Sequence, residues 1–278
     1  MNIINGKEIS ENLKEKLKSQ ISEEKLKLSL AVIQIGEDEA SNVYIKQKEK
    51  VSEYIGINFL HIKFNENENE DIIRNKILKL NQNKEINGII IQLPIPSKFN
   101  TLELIDLINP NKDVDGLTSV NKAALWNGKD SIIPCTPLGI IELLKAYNID
   151  VSGKNIVIIG RSSLVSKPLF NLLINMDATV TMCHSKTKNL ANHTKRADIL
   201  ISATGKRNLI KKDMIKENAV IIDVGINRYN GKLSGDVDFE NIKDKASYIT
   251  PVPGGVGPMT VVMLMKNVIK ASKIKISK

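Results

Sequence analysis

NIVIIGRSSLVSKPL, residues 155–169, is the stretch on which the fold turns. NIVIIG at 155–160 is a short β-branched run of buried-strand type, Gly160 ends it, and RSSLVSKPL opens straight into a helical pattern. Strand, turn and helix in immediate succession form the opening unit of a doubly wound nucleotide-binding sheet. A strand end that faces a helix amino terminus also offers free N–H groups and a positive dipole to a phosphate. The stretch is not a GxGxxG motif: Gly160, Ser162 and Val165 stand at the three positions, so the pattern alone fits a plain strand-to-helix connection as well as a nucleotide turn. Arg161 favours the nucleotide, because a guanidinium at that turn forms paired hydrogen bonds to a ribose phosphate.

Downstream, strands are expected at 178–183, 198–202 and 219–224, with a helix near 138–147 ahead of the opening strand. Ser185 and Lys186 follow the second strand, where the cofactor ribose belongs. No Asp or Glu stands there to bind a bare 2′-hydroxyl, which predicts NADP over NAD. Asn230-Gly231 reads as a hairpin turn, and a last helix runs from 258 to about 273 after the flexible run TPVPGGVGP.

Upstream, a second block shows the same alternation of strands and helices. Ile9, Leu13, Leu17 and Ile21 make one helix face, LSLAVIQIG at 28–36 is an apolar strand, and a helix at about 40–54 stops at Gly56. A strand at 57–63, a helix near 72–80 and a strand at 87–93 follow; LPIP ends the last, since proline cannot continue the ladder. A short helix at 101–108 leads into the polar segment NPNKDVDGL. The expected class is therefore α/β with two domains: an N-terminal α/β catalytic domain, 1–136, and a Rossmann-like doubly wound nucleotide-binding domain, 137–257. The helix of 258–278 returns to complete the first, and the domains are expected to face each other across a cleft.

Composition narrows the class without naming a chemistry. The 278 residues are 42% hydrophobic and 26% charged, as in a globular protein, and no run of about 18 apolar residues suits a bilayer. The start, MNIINGKEIS, has neither a signal core nor an arginine-rich leader, which predicts a soluble, cytoplasmic protein. The net charge of +9 raises nucleic acid as a partner, but the lysines are scattered and aromatics make up only 4%, so no nucleic-acid or membrane partner is expected. The basic tail from Lys273 to Lys278 reads as a solvated end. Cys135 and Cys183 stand alone, and His61, His184 and His193 form no metal or triad signature, so no metal is expected.

Other side chains carry candidate chemistry. Tyr44 and Lys48 are spaced i, i+4 and share a helix face; such a pair is usually surface, yet burial at a cleft lowers a lysine pKa enough for proton transfer. Gln92 ends a buried strand and Asp115 lies in a loop, each open to a structural reading as strand end or turn former. The Gly- and Pro-rich run TPVPGGVGPMT, 250–260, is either a shaped ligand loop or a connector.

Eight segments together resemble the bifunctional methylenetetrahydrofolate dehydrogenase and methenyltetrahydrofolate cyclohydrolase family: SNVYIKQK at 41–48, GIIIQLPIP at 88–96, NPNKDVDGL at 109–117, PCTPLGI at 134–140, GRSSLVSKPL at 160–169, DVGIN at 223–227, GDVDF at 235–239 and TPVPGGVGPMT. The resemblance spans nearly the whole chain in the family's order. It implies oxidation of 5,10-methylenetetrahydrofolate by NADP, then hydrolysis of the methenyl product to 10-formyltetrahydrofolate. It places Tyr44, Lys48, Gln92 and Asp115 at the active-site positions, with Ile91 and Leu93 beside Gln92 and the loop Pro253, Gly254, Gly255, Val256 and Gly257 as further substrate contacts. Cofactor contacts map onto Gly160, Arg161, Ser162, Ser185 and Ile226, and the resemblance implies a homodimer. The chain departs from the family pattern GRSxxVGxP at Ser166, which stands where the glycine belongs. Two rivals share the architecture: a shikimate-type dehydrogenase, and a folate- or nucleotide-binding regulator without catalysis. The YxxxK helix, QLPIP and PGGVGPMT favour folate over the first. Joint retention of Lys48, Gln92 and Asp115 argues against the second.

Overall fold

The computed structural model describes residues 2–229 and 231–274. In chain order the elements open with β1 (Asn2–Ile3), α1 (Gly6–Glu23), β2 (Leu28–Ile35), α2 (Glu39–Ile55) and β3 (Ile57–Phe64). They continue through α3 (Glu70–Gln82), β4 (Gly88–Ile91), α4 (Thr101–Asp106), α5 (Ser119–Trp126) and α6 (Cys135–Ala146). Next come β5 (Asn155–Ile159), α7 (Ser166–Ile174), β6 (Thr179–Cys183), α8 (Leu190–Thr194), β7 (Ile199–Ser202) and β8 (Val220–Asp223). The chain ends with β9 (Asn227–Tyr229), β10 (Lys232–Ser234), α9 (Phe239–Ile242), β11 (Tyr248–Ile249) and α10 (Val256–Lys273). Two compact units result, Asn12–Cys135 with Val261–Lys278, and Met1–Glu11 with Thr136–Thr260. Each is an α/β assembly around a parallel sheet, and the last helix joins the unit built by the N-terminal half.

The first unit carries a three-stranded parallel sheet in the order β3-β2-β4. A parallel strand covered on both faces reads as continuous apolar sequence, and β2 is buried at every position except the half-buried Ser29. Ala31, Ile33 and Ile35 of β2 with Ile89 and Ile91 of β4 face Ile73, Ile77 and Leu80 of α3 in one core. Burial of each such aliphatic side chain contributes about 1.5–3 kcal/mol. Gln34, 2% exposed within β2, is satisfied by Asn42 and by His61 on β3, so His61 has a structural partner. Helix α2 starts where the Asp38 carboxylate accepts from Ser41 N at 2.7 Å and stops at Gly56. β4 ends at Ile91, three residues before Pro94, the first proline of LPIP.

The second unit is a six-stranded sheet in the order β1-β11-β8-β7-β5-β6, parallel throughout. The chain steps from β5 outward to β6 and then returns across β5 to β7. The switch point where ligands bind in such sheets therefore lies at the carboxyl ends of β5 and β7. β1 and β11, two residues each, and the helix α5 carry no sequence signal strong enough to have been read. β9 and β10 pair antiparallel, Tyr229 opposite Lys232, and Gly231 has φ +73°. Of the turn expected there, Asn230 lies outside the described residues, as do residues 275–278 of the basic tail. Among the described residues no helix is long and apolar enough to cross a membrane.

Candidate active site

In the three-stranded unit, α2 and the end of β4 bring Lys48 and Gln92 together across 44 residues of sequence: Lys48 Nζ donates to Gln92 Oε1 at 2.8 Å. Gln92 is held at both ends. Its backbone N–H donates to Ile33 O at 2.8 Å, extending the β4 ladder, and its Nε2 donates to Leu93 O at 2.8 Å. With the amide hydrogens turned towards Leu93, the carbonyl oxygen is left facing Lys48. Burial pushes the Lys48 pKa below the usual lysine value, against the opposing attraction of Asp115 and of Cys135. Burial likewise raises the Asp115 carboxyl, and the Lys48 charge pulls it back down. The Lys48–Gln92 hydrogen bond and the mutual attraction of Lys48 and Asp115 make these three one polar cluster.

The cluster has a fourth member that the sequence reading set aside. Cys135 is 2% exposed, its Sγ donates to Val114 O at 3.5 Å, and burial with the charge of Asp115 pushes its thiol well above the normal range, so it stays neutral there. As a lone cysteine it offered no spacing rule; its only signal was its place in PCTPLGI. The neighbouring Asp113 has a different fate, since its Oδ2 accepts from Thr118 N at 2.7 Å and Asn121 Nδ2 at 2.9 Å and builds the start of α5.

Tyr44 lies one turn before Lys48 on α2 and is 37% exposed; among the described residues no hydrogen bond joins it to the other three. Ile91 is turned into the core and Leu93 packs against that core half-buried, so Gln92 alone of the three presents a polar side chain to the cluster. The loop at 253–257 belongs to the six-stranded unit. Gly254 O accepts from Lys7 N at 2.9 Å, which ties the loop to the start of α1, while Pro253 and Gly257 remain exposed.

At the switch point of the six-stranded sheet, Gly160 follows β5 with φ +128°. A Cβ there would stand 2.5 Å from Ala203 O, just past β7, so only glycine allows the two strand ends to approach this closely. Helix α7 then begins at Ser166; its N-cap Val165 supplies no side-chain hydrogen bond, and the turn closes on itself, Lys167 N donating to Ser162 O at 3.0 Å while Pro168 has no N–H to offer. Ser162 Oγ accepts from Val165 N at 3.0 Å and shapes the turn, while Arg161, Ser162 and Ser185 are exposed and Ile226 is 47% exposed. His184 orders the turn after β6, its Nδ1 accepting from Lys186 N at 3.1 Å. A glycine cradle at the switch point and an exposed arginine beside it suit a dinucleotide with a phosphorylated ribose. Ser166 is fully buried, its Oγ has no partner among the described residues, and it lies 2.8 Å from the position of a Gly160 Cβ. The serine thus occupies the close contact that the family's glycine leaves empty.

Two buried aspartates, absent from the sequence reading, organise the loops beyond β7 and β8. Asp236 accepts from Ser202 Oγ at 2.9 Å, Thr204 N at 2.7 Å and Lys206 N at 2.8 Å. Asp223 accepts from Gly225 N at 2.9 Å, Asp236 N at 3.0 Å and Val237 N at 2.9 Å. Burial lifts Asp223 to about 6 although these three N–H groups oppose it. The motifs DVGIN and GDVDF are therefore two halves of one carboxylate scaffold beside Ile226.

A nucleotide-type sheet with its glycine cradle, together with a separate unit bearing a buried Lys–Gln–Asp cluster, defines a two-domain cofactor-dependent dehydrogenase class. Profiles of two families match: tetrahydrofolate dehydrogenase/cyclohydrolase, catalytic domain, over residues 4–115, and the NAD(P)-binding domain of the same name over residues 134–276. The chain belongs to the tetrahydrofolate dehydrogenase/cyclohydrolase family. It is 49% identical over 282 residues to the bifunctional protein FolD of Campylobacter hominis, covering 100% of this chain and 99% of that one. The crystal structure of the bifunctional enzyme FolD from Campylobacter jejuni superposes with a TM-score of 0.96 at 44% identity, covering 98% and 99% of the two chains. The Trypanosoma brucei dehydrogenase-cyclohydrolase, complexed with NADP cofactor and inhibitor, gives 0.92 at 32% identity, covering 98% and 97%. Shikimate dehydrogenase from Aquifex aeolicus reaches only 0.54 at 15% identity, a likeness of fold alone.

Proposed function

We infer that this chain oxidises 5,10-methylenetetrahydrofolate to 5,10-methenyltetrahydrofolate with NADP and hydrolyses that product to 10-formyltetrahydrofolate. The observation that carries the reading is the Lys48–Gln92 hydrogen bond beside Asp115 in a member of this family. NADP, when bound, supplies the acceptor for the hydride that leaves the methylene carbon. Gly160, Arg161, Ser162, Ser185 and Ile226 hold it, with Arg161 on the 2′-phosphate. The folate is held by Tyr44, Lys48, Gln92, Leu93 and Asp115, with Ile91 supporting Gln92 from the core, together with Pro253, Gly254, Gly255, Val256 and Gly257. The unit of 12–135 with 261–278 takes the folate and the unit of 1–11 with 136–260 the NADP; residues 1–11, expected in the catalytic domain, go to the cofactor unit because β1 pairs with β11. The protein works as a cytoplasmic homodimer.

Hydrolysis places the heavier demand on side chains. Water adds to the methenyl carbon and gives up a proton; breakage of the bond from that carbon to N5 then leaves the formyl group on N10 and a proton on N5. Lys48, its pKa lowered by burial, takes the water proton as the neutral amine. Asp115 accepts from adjacent N–H groups of the pterin, and Tyr44 orients the ring. Purified protein mixed with methylenetetrahydrofolate and either NADP or NAD tests the whole reading. Reduced cofactor and methenyl product are expected with NADP. Their absence with both cofactors overturns the proposal.

Gln92 Oε1 accepts a stronger hydrogen bond from an ammonium than from an amine, so it holds the Lys48 proton on against burial. Because the amine is the active form, hydrolysis should rise with pH through the Lys48 pKa. Gln92→Leu is expected to move that inflection to lower pH and, by loosening the lysine, to cut the maximal rate roughly tenfold. A profile of methenyltetrahydrofolate hydrolysis against pH checks this, and an inflection that stays in place contradicts the role given to Gln92.

A further inference from the structure

We propose that Asn267, on α10, is the positioning residue that sets the folate-binding carboxylate of Asp115. Asn267 is 2% exposed, and its Nδ2 donates to Val114 O at 2.9 Å and to Ile133 O at 2.8 Å. An amide nitrogen carries two hydrogens, so both are committed to these carbonyls. The Cys135 sulfur sits 3.7 Å from the same nitrogen and 3.5 Å from the same Val114 oxygen. Val114 is bonded directly to Asp115. On the far side of Asp115, Gly116 has φ +67°, and a Cβ there would stand 2.7 Å from Ile132 O, so the two backbone segments touch. Asn267 therefore stitches the segment bearing Asp115 to the segment bearing Cys135, and fastens both to a helix more than a hundred residues further along the chain.

Other polar contacts of α10 hold the helix without touching that peptide. Ser52 Oγ donates to Met265 Sδ at 3.3 Å, and Lys270 Nζ donates to Ser131 O at 2.9 Å. Asn267 differs in that one of its donors ends on the peptide group preceding the Asp115 carboxylate. Loss of the stitch frees Asp115 to shift, and a displacement on the order of 1 Å is enough to spoil a positioned contact.

The inference rests on Asp115 as a folate ligand, so its test is a double-mutant cycle. Asn267→Ala, Asp115→Asn and the double variant are compared with wild type for KM of methylenetetrahydrofolate at saturating NADP, and for NADP Kd. Asn267→Ala is expected to raise the folate KM roughly tenfold, leave NADP Kd unchanged, and have no further effect once Asp115 is Asn. An unchanged KM, or the same factor in both backgrounds, overturns the proposal and marks Asn267 as merely structural. If Asp115→Asn itself leaves KM untouched, the assignment of Asp115 fails and carries this inference with it. Should Asn267→Ala not fold, Asn267→Ser, which keeps one donor in less volume, takes its place in the same cycle.

Discussion

Lys48→Met is expected to slow hydrolysis of methenyltetrahydrofolate by about three orders of magnitude, the scale of a lost general base. Methionine keeps an unbranched stem of similar length, so the packing of α2 against its sheet survives while the amine is removed. Oxidation of methylenetetrahydrofolate, which depends chiefly on alignment of substrate and cofactor, should fall much less. The stability of the variant offers an independent check. A lysine whose folded pKa is depressed binds its proton more tightly in the unfolded chain, so its burial penalises the folded state most at low pH. That penalty fades as pH rises from the depressed pKa towards the unfolded value of 10.5. Lys48→Met removes the effect, and unfolding measured between neutral and alkaline pH should show a flatter stability curve than wild type. Wild-type hydrolysis in the variant would end the assignment of Lys48.

Gly160→Ala is the second large effect, and it falls on the other half of the chemistry. The new Cβ would meet Ala203 O at 2.5 Å and Ser166 Oγ at 2.8 Å, at a φ of +128° that side chains rarely adopt. The backbone has little freedom to retreat. Gly160 N donates to Cys183 O at 2.8 Å and Ala203 N donates to Ile159 O at 2.8 Å, which pins both strand ends. If the turn escapes strain of about 2–3 kcal/mol by shifting and must be forced back to bind, the loss of NADP affinity is roughly 30- to 150-fold. Hydrolysis of added methenyltetrahydrofolate needs no cofactor and should continue. Titration of protein fluorescence with NADP beside a hydrolysis assay separates the two, and an unaltered NADP Kd contradicts the placement of the cofactor at Gly160. The two variants together predict opposite phenotypes, one losing the second reaction and the other the first.

Much of this was legible from sequence because it is local. Apolar, β-branched runs marked β2, β3 and β5, amphipathic stretches marked α2 and α3, proline marked the end of β4, and Gly56 marked the end of α2. The i, i+4 spacing put Tyr44 and Lys48 on one helix, and the strand-to-helix turn at 155–169 announced the nucleotide-type sheet. Tertiary structure alone decided which residues share an environment. It gave β1 to the six-stranded sheet, since a two-residue strand has no period to read and is defined only by pairing with β11. Contacts across 44 residues between Lys48 and Gln92, and across 153 between Asn267 and Val114, made the polar cluster and drew Cys135 into it. The depressed pKa of Lys48 and the Asp223–Asp236 scaffold belong to the same category. Propensity and periodicity act over a few neighbouring residues, whereas desolvation and hydrogen-bond partnership depend on everything the folded chain packs around a group.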